Sequence, residues 1–223
     1  MDYLIQLRQI GDAAVDSVKD SFNDLSETSH KDGKYRLRRY SLIRPYIGNI
    51  QKLPSRSFIQ SSEYNKHQGG MSRDFEDLED DVVKSVCMRE MCHLFNKVNR
   101  LYITQDIEIH QMRIIQHPHA PNAEVAPEGV HRDGYDAIAM MCINRENIKL
   151  DSGQITIYRN CSGLQNGCPG EQIMNTALYP GEMVFVDDKN CWHWGSPIET
   201  IDKEKPGYVD MFILTANLPK RDD

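Results

Sequence analysis

The chain has 223 residues and a formal net charge of −7, from 26 Lys and Arg against 33 Asp and Glu. This length suits a single domain spanning residues 1–223, and the acidic balance without a basic tail disfavours nucleic acid as a partner. No apolar run reaches the roughly 20 residues of a membrane-spanning helix, and the charged start lacks the apolar segment of a signal peptide. We therefore expect a cytoplasmic protein that does not bind membranes.

Two segments in the first half of the chain have the spacing of helices. Apolar residues recur at steps of three and four over residues 1–25 and again over 79–98, which predicts two helices that buttress a sheet. The residues expected to face that sheet from the second helix are Val83, Met91 and Leu94. Between the helices, the arginine-rich stretch 31–73 predicts loops and short strands.

From residue 106 onward, the apolar pattern changes to the alternation of strands, interrupted by Gly and Pro turns. We expect strands near 107–115, 130–143, 154–159, 182–187 and 207–216. In the first of these, Gln111 and Arg113 share a face with isoleucines, so both should point into the interior. A buried arginine is costly unless it is paired, so Arg113 should have a carboxylate partner, either a ligand or an internal acid.

The six cysteines are irregularly spaced and include no Cys-X-X-Cys pair. Reduced thiols in a cytosolic enzyme are therefore favoured over a disulfide framework. Cys161 and Cys168 could meet across a glycine-containing loop, and this pair is the less favoured alternative.

His131 and Asp133 lie two positions apart, so they project to the same face of a strand. His193 would join them from a distant strand. Two imidazoles and one carboxylate are the set that binds ferrous iron and leaves three coordination positions open. Zinc accepts the same ligands, so a zinc hydrolase is an alternative, although no separate general base stands out.

The sequence around these residues resembles the iron(II)/2-oxoglutarate dioxygenase family that includes the bacterial isoleucine dioxygenase and other free-amino-acid hydroxylases. The resemblance extends over roughly residues 30–218. The segments that carry it are 35–40, 60–65, 69–70, 110–114, 127–136, 144–147 and 207–210.

The resemblance implies an α+β, mainly β fold, a double-stranded β-helix (jelly roll, cupin-like) with buttressing helices. Residues 1–98 would supply supporting helices and loops, and 106–218 the barrel core. It also implies Fe(II), 2-oxoglutarate and O2 as cofactors, and hydroxylation of a free amino acid or similar small molecule. The iron ligands would be His131, Asp133 and His193. The residues that would contact the substrate are Gln60, Tyr64, Asn65 and Arg38.

One position departs from the family pattern. Related enzymes hold the distal carboxylate of 2-oxoglutarate with a basic residue on the last core strand, where this chain has Val209. Arg113, with Gln111 beside it, could take over this role, or else Lys203 or Lys205 could do so. Alternatively, the protein could use iron and oxygen without 2-oxoglutarate, or be a catalytically silent jelly-roll binding protein.

Overall fold

A computed structural model of the chain describes residues 3–65, 67–101, 105–161 and 170–217. Its strands are β1 Ile5–Gln9, β2 Arg36–Tyr46, β3 Asn49–Lys52, β4 Phe58–Ile59, β5 Ser72–Arg73, β6 Ile107–Gln116, β7 Ala137–Glu146, β8 Ile155–Arg159, β9 Glu171–Thr176, β10 Glu182–Asp187, β11 Cys191–Gly195 and β12 Gly207–Ala216. Its helices are α1 Asp12–Lys19, α2 Asp80–Lys84, α3 Val86–Asn99 and a short 3-10 helix, Asp20–Asp24.

The strands form two main antiparallel sheets. The large sheet has the order β1-β10-β7-β12-β6-β2-β3, the small sheet has the order β11-β8-β9, and β4 pairs with β5. Single bridges join Ala123 to Ile198 and His131 to His193, so the chain before β7 runs beside the small sheet. This is the predicted double-stranded β-helix.

Alternation along the strands of the large sheet creates two cores. On one face, residues such as Met112 and Ile114 pack with Ile157 of the small sheet and fill the barrel. On the other face, Ile107 and Ile109 pack against the helices. The strands in the middle of the large sheet are therefore buried on both faces.

The predicted second helix is confirmed but interrupted at Ser85, between α2 and α3. The Ser85 side chain accepts a hydrogen bond from the Met88 backbone N–H at 3.0 Å, which is a favourable N-cap for α3. Val83 and Met91 are buried as expected, whereas Leu94 is only partly buried against the core.

The prediction for residues 1–98 was wrong in two places. Residues 5–9 form strand β1, paired with β10 along the sheet edge, and α1 begins only after Gly11, whose backbone is extended. In addition, β2 is a long strand paired with β6 from Arg36 to Ile43 rather than a series of loops and short strands. The first 98 residues therefore widen the large sheet as well as covering it.

Four of the cysteines, Cys87, Cys92, Cys142 and Cys191, are buried and form no disulfide. Burial raises the pKa of each of these thiols. The alternative that pairs Cys161 with Cys168 falls partly outside the described residues. Among the helices that the structure describes, none is long and apolar enough to cross a membrane.

Candidate active site

The three predicted metal ligands meet at one end of the barrel. One ligand atom from each of His131, Asp133 and His193 lies within 4.8 Å of the others. The two histidines exchange backbone hydrogen bonds, with N···O distances of 2.9 and 2.8 Å. Nδ1 of His131 lies 2.8 Å from the Gly129 carbonyl oxygen, which leaves Nε2 to face the Asp133 carboxylate at 3.5 Å. The contact with the Gly129 carbonyl oxygen orients the imidazole so that Nε2 points toward the predicted metal position.

Asp188 fixes the turn that carries Asp133. Its carboxylate accepts backbone N–H bonds from Asp133, Gly134 and Tyr135, at 3.1, 2.8 and 3.1 Å. Its Oδ1 also lies 3.8 Å from Nδ1 of His193. The buried Asp188 carboxylate therefore positions Asp133 and lies beside His193, two of the three predicted metal ligands.

The charges around the triad shift the pKa values of its two histidines in opposite directions. Burial alone would lower the pKa of His131, but the hydrogen bond to Asp133 and the charge of Glu128 raise it to about 9. Burial and the charge of His131 lower the pKa of His193 to about 4. Two imidazole nitrogens and one carboxylate, converging at a buried site, fit the preferences of ferrous iron.

We expect divalent metal binding near neutral pH to release about one proton, because His131 must be neutral to donate to a metal. A folded-state pKa of about 9 against the ordinary 6.5 means that protonated His131 stabilises the metal-free fold fully below pH 6.5. That contribution disappears as pH rises through about 9. Metal affinity should therefore increase by up to about tenfold per pH unit across this window. Calorimetry of Zn(II) binding in buffers of different ionisation enthalpy gives the proton number, and a value near zero would contradict the assignment.

Two spaces adjoin the triad. An inner cavity of about 80 Å³ lies inside the barrel, with Met112, Met140 and Met211 in its walls. An outer cleft of about 400 Å³ is lined by tyrosines, Arg56 and Glu108. The side chains that line both spaces are Gln60, Asp133 and Tyr135. The three predicted metal ligands thus line the inner cavity, and Asp133 lies where that cavity meets the more open cleft.

The residues predicted to contact substrate divide between these spaces. Gln60 donates to Oδ1 of Asp133 at 3.1 Å, and Asn65 donates to Gln60 at 2.8 Å, so this pair supports a metal ligand. Tyr64 lines the outer cleft. Its ring lies so close to Gly134, which has φ +87°, that a Cβ there would come within 2.5 Å. Arg38 lines the inner cavity.

The prediction that Arg113 and Gln111 point into the barrel was wrong. Both lie on the helix face of β6, where Gln111 donates to Ser21 at 2.8 Å. Arg113 donates twice to Asp210, at 2.6 and 2.8 Å, and stacks over the Tyr208 ring. The carboxylate partner of Arg113 is therefore an internal acid, and Arg113 does not reach a ligand in the cavity.

The other predicted anchors also lie away from the cavity. Lys203 and Lys205 are exposed in the turn before β12, where Lys205 pairs with Asp202 at 3.1 Å. Val209 is buried in the barrel core. The basic residues that do line the cavity are Arg36, Arg38 and Arg73. Of these, Arg73 was not expected from the sequence, whereas Arg36 and Arg38 belong to an arginine cluster in which one residue could hold a ligand carboxylate. The alternation of Arg36 and Arg38 was the available signal.

Several solved structures have the same fold. A bsmA homolog from Methylobium petroleophilum PM1 gives a TM-score of 0.70 at 24% sequence identity, over 92% of this chain and 82% of that one. IDO from Bacillus thuringiensis gives 0.66 at 15% identity, over 96% and 90%. The Fe(II)/(alpha)ketoglutarate-dependent dioxygenase TqaL gives 0.67 at 16% identity, over 94% and 76%. These likenesses show the fold.

No curated protein matches the chain in sequence. The sequence model of the 2OG-Fe dioxygenase family matches residues 19–215, which is most of the chain. That match agrees with the triad and with the double-stranded β-helix, and the family uses iron(II), 2-oxoglutarate and dioxygen to oxidise a small-molecule substrate. The chain therefore belongs to the 2OG-Fe dioxygenase family and is a nonheme iron dioxygenase.

Proposed function

We propose that this dioxygenase hydroxylates an unactivated carbon of a free amino acid. The observation that carries the proposal is the position of the triad between an enclosed cavity and an outer cleft that offers charges of both signs. The enclosed cavity suits 2-oxoglutarate, and the cleft suits a small zwitterion. We further propose that residues 1–223 act as one catalytic domain.

The iron site is held by His131, Asp133 and His193. Bound there with 2-oxoglutarate and O2, iron would supply the oxidant for converting a C–H bond to C–OH, with 2-oxoglutarate and O2 consumed to give succinate and CO2. Asp188 and Gln60 keep the Asp133 carboxylate in place. The thioether and aliphatic side chains around the inner cavity exclude water from the reacting groups.

The outer cleft presents the polar groups that an amino acid needs. Tyr40 and Tyr135 both donate to Oε2 of Glu108 at 2.8 Å, and Arg56 pairs with Oε1 at 2.5 Å. Arg56 is about half exposed, so part of its guanidinium remains open to a ligand carboxylate. Glu108 carries the negative charge of the cleft, although its oxygens already accept from the two tyrosines and Arg56, and Tyr64 forms a further wall. We assign substrate binding to these residues and assign Gln60 and Asn65 to support of the metal.

The proposal is tested by supplying the iron-loaded protein with 2-oxoglutarate, O2 and each proteinogenic amino acid in turn. We expect one amino acid, or a chemically related set, to stimulate succinate formation and to gain one oxygen atom by mass spectrometry. Arg56→Met should raise the KM for that amino acid more than it lowers kcat. The absence of a response to every amino acid, with 2-oxoglutarate binding intact, would rule out this substrate class.

A further inference from the structure

We propose that Arg38, assisted by Arg36 and Arg73, binds the distal carboxylate of 2-oxoglutarate. The inference rests on the 2-oxoglutarate dependence of the proposed function, and it assigns to β2 and β5 a role that related enzymes give to a basic residue on the last core strand. Val209 occupies that place here, and its side chain has no group that can bind a carboxylate.

Arg38 is buried without an acidic partner. Its side chain is among the buried charged groups, and the hydrogen bond that it makes is to the Met112 sulfur at 3.3 Å. Its guanidinium lies over the Phe75 ring, 5.3 Å from the centroid. Across the ranges that the structure describes, no carboxylate lies within ion-pair distance of Arg38. Burial and the charges of Arg36 and Arg73 lower its pKa, and the more distant carboxylates of Asp32 and Glu128 offset this only in part.

Arg36 and Arg73 bring further unpaired donors to the same cavity. Arg36 pairs with Asp32 through Nη1 at 2.6 Å, yet its buried Nε has no hydrogen-bond partner. Nε and Nη2 of Arg73 are also buried and unpartnered, and its guanidinium lies 4.8 Å from the Phe58 centroid. Buried N–H groups are normally hydrogen-bonded. Two arginines with unpartnered buried donors, beside Arg38, which forms no ion pair within the described residues, therefore describe a site for a planar carboxylate.

His110 lies beside the arginines. It is buried between the Tyr40 and Phe58 rings, and its Nδ1 has no hydrogen-bond partner. Burial and the charge of Arg38 hold its pKa well below the ordinary value, so the ring is neutral and can donate one hydrogen bond. This neutral donor adds to the site without adding another charge.

The enclosed location identifies which carboxylate the arginines bind. They line the inner cavity of about 80 Å³ and do not line the outer cleft, where Arg56 and Glu108 lie. A cosubstrate that chelates a metal at the triad through its keto acid end would place its other carboxylate within the inner cavity, which the triad residues and the arginines line together. The arginines of the inner cavity match that carboxylate, and the cleft remains open to the primary substrate.

The test compares two ligands under anaerobic conditions with the Fe(II) protein. 2-Oxoglutarate has the distal carboxylate, whereas 2-oxopentanoate keeps the metal-chelating keto acid and lacks it. Binding is followed by the visible charge-transfer band of the iron complex, without turnover. We expect Arg38→Met to weaken 2-oxoglutarate binding by about ten- to a hundredfold, the effect of one charge-assisted hydrogen bond. Binding of 2-oxopentanoate should be unchanged.

Arg39→Met provides a matched control on the same strand. Arg39 is as buried as Arg38 but faces away from the cavity, where it pairs with Glu76 and Glu79. This variant should keep the wild-type preference for 2-oxoglutarate. Arg38→Lys should recover part of the affinity that Arg38→Met loses, because it restores the charge. Iron content and thermal midpoint identify any variant that fails to fold, and Arg73→Met then repeats the comparison.

Wild-type affinity for 2-oxoglutarate in both Arg38→Met and Arg73→Met would overturn the inference and leave the proposed function standing. If the arginine variants lost affinity equally for 2-oxoglutarate and 2-oxopentanoate, the inference would also be overturned. The arginines would then act on the keto acid end that both ligands share. A wild-type protein without any 2-oxoglutarate band would remove the basis of both proposals. Failure of every amino acid in the turnover assay, with the band and its Arg38 dependence intact, would overturn only the substrate assignment.

Discussion

His131→Ala is expected to abolish stoichiometric iron binding and, with it, oxygenase turnover, while the fold persists. The substitution removes one of two nitrogen ligands and leaves Asp133 and His193 unable to complete the three-ligand face that the metal needs. The backbone hydrogen bonds between positions 131 and 193 do not depend on the imidazole, so the strand pairing remains.

Elemental analysis of iron per protein, together with circular dichroism, measures both parts of this expectation. His119→Ala is the matched control, because His119 lies 70% exposed on a loop, where it pairs with Glu204. The control should keep full iron occupancy. Full occupancy in His131→Ala would show that the metal site has been wrongly assigned.

Arg113→Leu is expected to lower the free energy of unfolding by about 3–5 kcal/mol and to leave 2-oxoglutarate affinity unchanged. Removing one partner of a buried ion pair leaves the other charge uncompensated. Asp210 is fully buried and has Asn144 as its remaining side-chain donor, at 3.4 Å. Because this pair lies on the helix face of the large sheet, its loss should not reach the inner cavity.

Urea denaturation of the metal-free protein measures the loss of stability, and the charge-transfer titration measures the affinity. The double variant Arg113→Leu with Asp210→Leu should recover much of the lost stability, since replacing both partners removes the unpaired charge. The opposite pattern, unchanged stability with weakened 2-oxoglutarate binding, would return Arg113 to the role of cosubstrate anchor.

The convergence of His131, Asp133 and His193 could be predicted from sequence because the chemistry of these residue types and the close spacing of the first two are local properties. Alternation along a strand was expected to bring His131 and Asp133 to one face, but β7 begins only at Ala137, and Asp133 lies in the turn that Asp188 holds. The two side chains nevertheless meet, and His193 of β11 joins them. The face of Arg113 could not be predicted in this way. β6 carries apolar residues on both of its faces, because it lies between a helix layer and the barrel core. Alternation separates two faces but does not say which one encloses the ligand.

The missed strands have a related cause. In β1, apolar residues at Ile5 and Leu7 fit a strand, while Leu4, Leu7 and Ile10 fit a helix, and only the pairing with β10 decides between them. In β2, the arginines made the segment look solvent-exposed, although it is a buried strand. Their charges are paired with acids from outside the strand, such as Asp32 and Glu79. In both segments, contacts with distant parts of the chain decide the secondary structure, which the local sequence does not specify.

The reciprocal bonding of His131 and His193 also constrains how the protein reaches its native state. The two residues are far apart along the chain, and their contact requires β11 to have found its place beside the segment that precedes β7. Contacts between distant segments form late, because a long loop must first be closed. We therefore expect a metal held by His131, Asp133 and His193 to stabilise contacts that form late in folding, so adding the metal should slow unfolding far more than it speeds refolding.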